Sequence, residues 1–310
     1  MSFVLITPVR NEESTIEETL LSMVNQTVRP AEWVIVDDNS TDQTYARAKP
    51  YADAHGFIHL VRNTNRKERD MAARIHAIEF GIENLTTDDY AWIGILDGDI
   101  KLDPTYYESM LAKFEACPNL GLAGGALYEK MGDLFVDQRI HEDSVAGGVQ
   151  LFRRECYEAI GGLTPLPKGG TDSLAEVMVR MHGWKTKTFS DTPFYHLRPL
   201  NAETGSFFYG KFQLGERDYM IGNHVLFQLF RCAYRIKERP YVISSILRLL
   251  GYTWLWASRS KRYFPDDVVR FKQAEQLHRL KRLFHISGEL QRAESKTNSR
   301  QTNDSDEDKQ

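Results

Sequence analysis

Trp92-Ile93-Gly94-Ile95-Leu96-Asp97-Gly98-Asp99 decides the fold class, because five mainly apolar residues run straight into two carboxylates that flank a glycine. A short apolar run bounded by turn residues reads as a buried strand. The pattern recurs upstream. Phe3 to Pro8 is one strand, Trp33 to Val36 is another that ends in Asp37-Asp38-Asn39-Ser40, and Phe57 to Val61 is a third. Helical patterns lie between them. Ser14 followed by Glu17 has the form of a capping box, with Ile16, Leu20, Met23 and Val24 at helical spacing, which predicts a helix starting near Ser14. A second helix is expected near Thr41, a third from Met71 to Ile82, and Pro104 opens a further one. Such alternation predicts an α/β fold whose mostly parallel sheet is flanked by helices. Ligands of these sheets bind at the carboxyl ends of the strands, so the polar endings should share one crevice.

Downstream, Val149 to Phe152 reads as a strand and Gly161-Gly162 with Pro165 and Pro167 as a flexible loop. Asp172 to His182 reads as a helix closed by Gly183, and Lys185 to Phe189 as a strand. From about residue 219 the pattern turns helical and basic. Residues 1–205 carry a net charge of −11, residues 206–290 of +8 and residues 291–310 of −1. The expected organisation is therefore an acidic α/β domain over 1–205, a basic helical extension over 206–290 and a disordered polar tail over 291–310. An overall charge of −4 gives no ground for nucleic-acid binding. Cys117, Cys156 and Cys232 have neither disulfide nor metal spacing, which points to a reducing compartment. No basic leader precedes Phe3, so a cytoplasmic place is expected. Tyr241 to Ala257 is apolar except for Arg248, yet short of the roughly 20 residues that span a bilayer. Residues 219–282, where basic charge lies beside this stretch and beside Tyr219 to Phe230, suit a peripheral place on the inner face of the plasma membrane, with packing on the rest of the chain or at a homodimer interface as the competing expectation.

Asp97 and Asp99 place two carboxylates where they could hold magnesium or manganese with a substrate's phosphates, an ordinary acidic turn being the alternative. Asp37 and Asp38 emerge beside them if the two strands are neighbours, and one could contact a nucleobase or ribose instead of capping a helix. Arg66, Lys67, Arg69 and Arg74 offer positive charge for a diphosphate, Arg74 most of all because it sits among apolar helical positions. Asp172 and Glu176 share one helix face, where a carboxylate could act as a general base or merely favour the helix N-terminus. His196, between Tyr195 and Leu197, is either a metal ligand or a satisfied core histidine.

ITPVRNEE at 6–13, VIVDDNSTD at 34–42, LDGDI at 96–100, GGVQLFRRECYEAIGG at 147–162 and TDSLAEVMVRMHGWK at 171–185 together resemble family 2 glycosyltransferases, in order and over about the first 200 residues. The resemblance implies a GT-A fold, a nucleoside-diphosphate sugar donor, a divalent metal and inversion at the anomeric carbon. Thr7, Pro8 and Glu12 match the first nucleotide-contacting loop, Asp38 the base or ribose contact and Arg74 a phosphate-side position. Asp97 and Asp99 match the DxD motif, the second being the metal ligand, and Asp172 matches the catalytic base. The family often has Glu-Asp where this chain has Thr171-Asp172. Processive members carry a QxxRW motif, whereas Gln276-Leu277-His278-Arg279-Leu280 lacks the tryptophan. Residues 215–280 are similar to the tails of bacterial enzymes that build exopolysaccharide or other surface glycans, which implies a glycan or lipid-linked acceptor.

Two rivals remain at this point. A sugar-nucleotide nucleotidyltransferase needs a glycine-rich phosphate loop near its start, and TPVRNEE contains no glycine. A non-catalytic GT-A scaffold has no use for Asp38, Asp97, Asp99 and Asp172 together.

Overall fold

The computed structural model describes residues 2–64, 71–198, 207–235 and 241–283. Strand β1 (Phe3–Val9) lies inside the sheet, flanked by β2 (Glu32–Asp37) and β4 (Trp92–Leu96), both parallel to it. Phe3 and Leu5 enter one hydrophobic layer with Trp33 and Ile35, while Val4 and Ile6 enter the opposite layer with Val34 and Val36. Side chains of a strand alternate between faces, so a strand covered on both sides must be apolar throughout. Helices α1 (Ile16–Val24), α2 (Thr44–Ala54) and α4 (Tyr106–Ala116) cover the first layer. The second is covered by α3 (Ala73–Glu83), α5 (Arg154–Ala159) and α6 (Thr171–Met181).

The sheet runs β3 (Ile58–Arg62), β2, β1, β4, β8 (Val149–Arg153), β6 (Leu120–Met131), β9 (Lys185–His196) and β5 (Ile100–Leu102), with β7 (Leu134–Asp137) paired to β6. It is the α/β architecture the sequence predicts, parallel from β3 to β4 and mixed beyond, since β8 is antiparallel to both β4 and β6. The order places the topological switch between β1 and β4. Their ladder ends at Ile6 opposite Ile95, so the chain beyond those residues opens a crevice.

Several local expectations change. The first helix starts at Ile16 and has no side-chain cap; instead the Glu12 carbonyl accepts from Thr15 and Ile16 N–H at 3.0 and 2.9 Å. Strand β9 continues past Phe189 to His196, because its register jumps from Gly125 opposite Phe189 to Ala126 opposite Pro193 and residues 190–192 bulge out. Strand β6 was hidden by its glycines, which ordinarily weaken strands. A Cβ at Gly125 would collide with the Thr192 carbonyl oxygen, so the residue marks a close approach of two backbones.

The chain divides into two compact units, residues 1–204 and 205–310. The second contains α7 (Phe207–Met220), α8 (Val225–Tyr234), α9 (Tyr241–Ala257) and a helical stretch over 266–283, so helix begins before residue 219. Helices α7 and α9 cross at Gly215 and Gly251, where a Cβ would strike the carbonyl oxygens of Arg248 and Phe212. Asp218 lies buried between them, accepting from Arg248 Nη2 at 2.9 Å, Arg231 Nη1 at 3.1 Å and Gln228 Nε2 at 3.0 Å. Burial alone would raise the pKa of that carboxyl, but these donors hold it below its ordinary value. Among the described residues no helix is long and apolar enough to cross a membrane, and the three cysteines are unpaired. The tail over 291–310 and the basic residues Arg66, Lys67 and Arg69 lie outside the described residues.

Candidate active site

The Asp97-Gly98-Asp99 turn is fixed through its peptide groups. Asp97 N–H donates to the Gly148 carbonyl at 2.9 Å, the Gly98 carbonyl accepts from Thr19 Oγ1 at 2.9 Å, and the Asp99 carbonyl accepts from Leu197 N–H at 2.9 Å. Three separate elements thus aim the two carboxylates. Across the crevice, the loop after β1 is tied to the loop after β2. Glu12 N–H donates to Thr44 Oγ1 at 2.7 Å, Asn11 N–H to Ser40 Oγ at 3.1 Å, and Thr41 N–H to Asn11 Oδ1 at 2.9 Å. Asn11 adopts φ 55°, a left-handed turn that asparagine tolerates.

The carboxylates of the turn enter two different ionic groups. Asp97 Oδ1 accepts from Arg74 Nε at 2.8 Å; Arg74 Nη2 donates to the Gly147 carbonyl at 2.6 Å and Nη1 stands 3.7 Å from Asp172 Oδ1. Burial, reinforced by the Asp99 charge and opposed by Arg74, raises the Asp97 pKa to about 6. Asp99 Oδ2 belongs to the second group. It accepts from Arg198 Nε at 3.0 Å and Nη2 at 2.9 Å, and lies 3.5 Å from His196 Nε2. Arg198 also bonds Glu12, whose pKa is raised to about 7 by burial and by the nearby Asp99 charge, against the pull of Arg198.

Asp172 stands at the start of α6, after Gly170 at φ 104°. Its Oδ1 is buried and makes no hydrogen bond, and a Cβ on Gly147 would run into its carboxylate. One turn on, Glu176 points elsewhere: Oε1 accepts from Val145 N–H at 2.7 Å and Oε2 from Ser144 Oγ at 3.3 Å, with Arg180 at 4.0 Å. Burial raises its pKa to about 7. The sequence anticipates an orientation toward Arg180, whereas the backbone ahead of β8 is the nearer partner.

Other expected residues fall at varied depth. Thr7 is fully buried and its Oγ1 accepts from Trp33 Nε1 at 2.8 Å, while Pro8 is half-buried beyond the β1–β4 ladder. Asp38 is buried, accepting from Asn63 Nδ2 at 3.2 Å with Arg10 at 3.8 Å. Asp37 accepts from Arg62 Nε at 2.7 Å. Strand β1 separates β2 from β4, so Asp38 and the DGD turn are not on neighbouring strands. Glu12, Arg74, Asp97, Asp99, Asp172 and His196 are brought into the two linked groups. Arg198, which bridges Asp99 and Glu12, went unnoticed in sequence, where a cation two residues after a histidine carries little signal.

The family model for glycosyl transferase family 2 matches residues 4–181, more than half of the chain. The chain belongs to that family. Among solved structures, a mannosyltransferase of Pyrobaculum calidifontis, in complex with GDP-Man and Mn2+, is similar with a TM-score of 0.53 at 19% identity, over 91% of this chain and 79% of that one. Staphylococcus aureus TarS residues 1–349 give a TM-score of 0.52 at 15% identity, over 84% and 73%. The same TarS segment with UDP-GlcNAc gives 0.52 at 15%, over 82% and 72%. At these identities the likeness is one of fold. No curated protein matches the sequence closely enough to add to this.

Family 2 glycosyltransferases act on nucleotide-linked sugars, so the fit of a divalent cation to the second ionic group matters. Among the described residues no three His, Cys, Asp or Glu side chains gather as a complete cage. A cation shared with a substrate's diphosphate needs only one or two protein ligands. His196 Nδ1 bonds the Arg198 carbonyl, and an imidazole can do so only as a donor. That leaves Nε2 facing Asp99 Oδ2 at 3.5 Å, a nitrogen and an oxygen near enough to share one divalent cation. The donor set fits. Arg198 supplies the positive charge to Asp99 here and would have to yield to a metal held there.

Proposed function

We propose that this glycosyltransferase moves a single sugar from a nucleoside-diphosphate sugar to an acceptor hydroxyl with inversion at the anomeric carbon, the acceptor being a glycan or a lipid-linked glycan. The observation that carries this reading is Asp172 Oδ1, a carboxylate oxygen buried without a hydrogen-bond partner beside the DGD turn. Asp172 accepts the proton of the attacking hydroxyl, and a base placed on the acceptor side leaves the opposite face of the sugar for the departing diphosphate. Asp99 and His196 would hold magnesium or manganese, which when bound neutralises charge on that diphosphate. Arg74 bridges Asp97 and Asp172 and lends positive charge between them. Glu12 and Asp38 line the loops that the resemblance assigns to the nucleotide, whereas buried Thr7 would support them from beneath.

Release of nucleoside diphosphate from a panel including GDP-mannose and UDP-GlcNAc, with manganese and with chelator, tests the reading. Release that requires the metal and is abolished by Asp99→Ala in a folded protein is expected. Full release in chelator would remove the metal from the mechanism, and no release from any nucleotide sugar would leave a scaffold.

A further inference from the structure

Among the described side chains of α9, over 242–257, every exposed position is apolar. Ser245, Arg248, Tyr252 and Leu255 are buried. Apart from Ala257, the exposed residues are Val242, Ile243, Ile246, Leu250, Trp254 and Trp256, each between 47% and 66% accessible. This inverts the usual pattern, in which a surface helix turns its charges outward. The single charge of the helix, Arg248, faces inward onto Asp218. Val242, Ile246, Leu250 and Trp254 follow at intervals of four and so form one stripe about 18 Å long. Helix α8, which touches α9, likewise exposes Leu226, Leu229 and Tyr234.

Positive charge adjoins the stripe. Ser258, Arg259 and Ser260 N–H close α9 by bonding back to the carbonyls of Trp254, Trp256 and Leu255. The chain therefore reverses beside the tryptophans and presents exposed Arg259 and Lys261 there. An open depression of about 530 Å³ follows, lined in part by Lys261, Arg262 and Tyr263. The Arg262 guanidinium lies over the Tyr219 ring, and its Nε is buried without a hydrogen-bond partner.

We propose that the outer face of α8 and α9 docks on an anionic lipid surface, with the stripe in the boundary between headgroups and acyl chains and Arg259, Lys261 and Arg262 on lipid phosphates. An amphipathic helix too short to cross lies in the interfacial plane, and indole rings favour that depth. A second copy would bring two regions of net charge +8 together, and residues 291–310 offer no apolar side chain except Ala293 to cover the stripe. The inference goes beyond sugar transfer and is tested apart from it.

The full chain is sedimented at low salt with vesicles of equal phosphatidylglycerol and phosphatidylcholine, and with phosphatidylcholine alone. Binding confined to the anionic vesicles is expected, weakened by salt and weakened roughly tenfold or more by Leu250→Glu. Circular dichroism checks the fold of each variant, and Trp254→Ser carries the same test should Leu250→Glu unfold. Absence of sedimentation, equal binding to phosphatidylcholine alone, or a dimer that Leu250→Glu dissolves without any vesicle binding would each overturn the proposal.

Discussion

At Asp172 the position of the carboxylate is set by what lacks a side chain as much as by what has one. Gly147 leaves the space its oxygens fill, while Arg74 stands close enough to hold the charge without bonding it. Asp172 also sits where the backbone turns into α6, where the proposed acceptor would have to reach it. Gly147→Ala should displace the carboxylate and reduce transfer while leaving the melting temperature nearly unchanged, since the added methyl meets one side-chain end rather than backbone. Equal activity in Gly147→Ala would show that the position of Asp172 is not critical. Arg198 yields a second expectation. It neutralises Asp99 with a side chain 44% exposed, and an ion pair so exposed is worth at most about 1 kcal/mol. Arg198→Ala should accordingly bind Mn2+ in the absence of nucleotide up to roughly fivefold more tightly by calorimetry. Weaker binding would mean that Arg198 organises the cation site instead of competing for it.

Helix α6 carries two carboxylates with opposite tasks. Glu176 fastens the Ser144 hydroxyl and the Val145 peptide N–H, just ahead of the Gly147 that accommodates Asp172. Its pKa is raised by burial from 4.5 to about 7, so the folded state holds the proton more firmly than the unfolded chain does. Stability from this group is fully present below pH 4.5 and is lost as the pH rises through about 7. Glu176→Gln, which keeps an acceptor for Val145 N–H, should flatten that portion of the denaturation profile. An unchanged slope would show that Glu176 does not titrate in this window. In the second unit, Gly215→Ala places a methyl against the backbone of α9, and overpacking of this kind costs about 1–3 kcal/mol. A lowered thermal midpoint is expected, and an unchanged one would contradict the close crossing at Gly215.

Across the whole molecule, the legible parts of the sequence were those in which one periodicity dominates. Trp92–Leu96 has the predicted strand limits because it is apolar on both faces and ends at a turn. Strands β6 and β9 obey packing between distant segments: glycines admit a neighbouring backbone in one, and a bulge carries the other past Pro193. Such contacts leave no periodic trace. The site divides in the same way. Asp97, Asp99 and Asp172 stand in motifs of fixed spacing, whereas Arg198 meets Glu12 only through a fold that joins positions 186 residues apart. Glu176 looked like a partner of Arg180 because helical spacing reveals neighbours on one helix and is blind to the peptide of Val145.

The most direct measurement compares Asp172→Asn with Glu176→Gln in single-turnover release of nucleoside diphosphate, with nucleotide and Mn2+ affinity measured alongside. Loss of a general base lowers rates by about 10² to 10⁴. The account predicts that Asp172→Asn keeps both affinities and slows turnover at least roughly a hundredfold, whereas Glu176→Gln stays active. An inactive Glu176→Gln beside an active Asp172→Asn would contradict it and move the base one helical turn along α6.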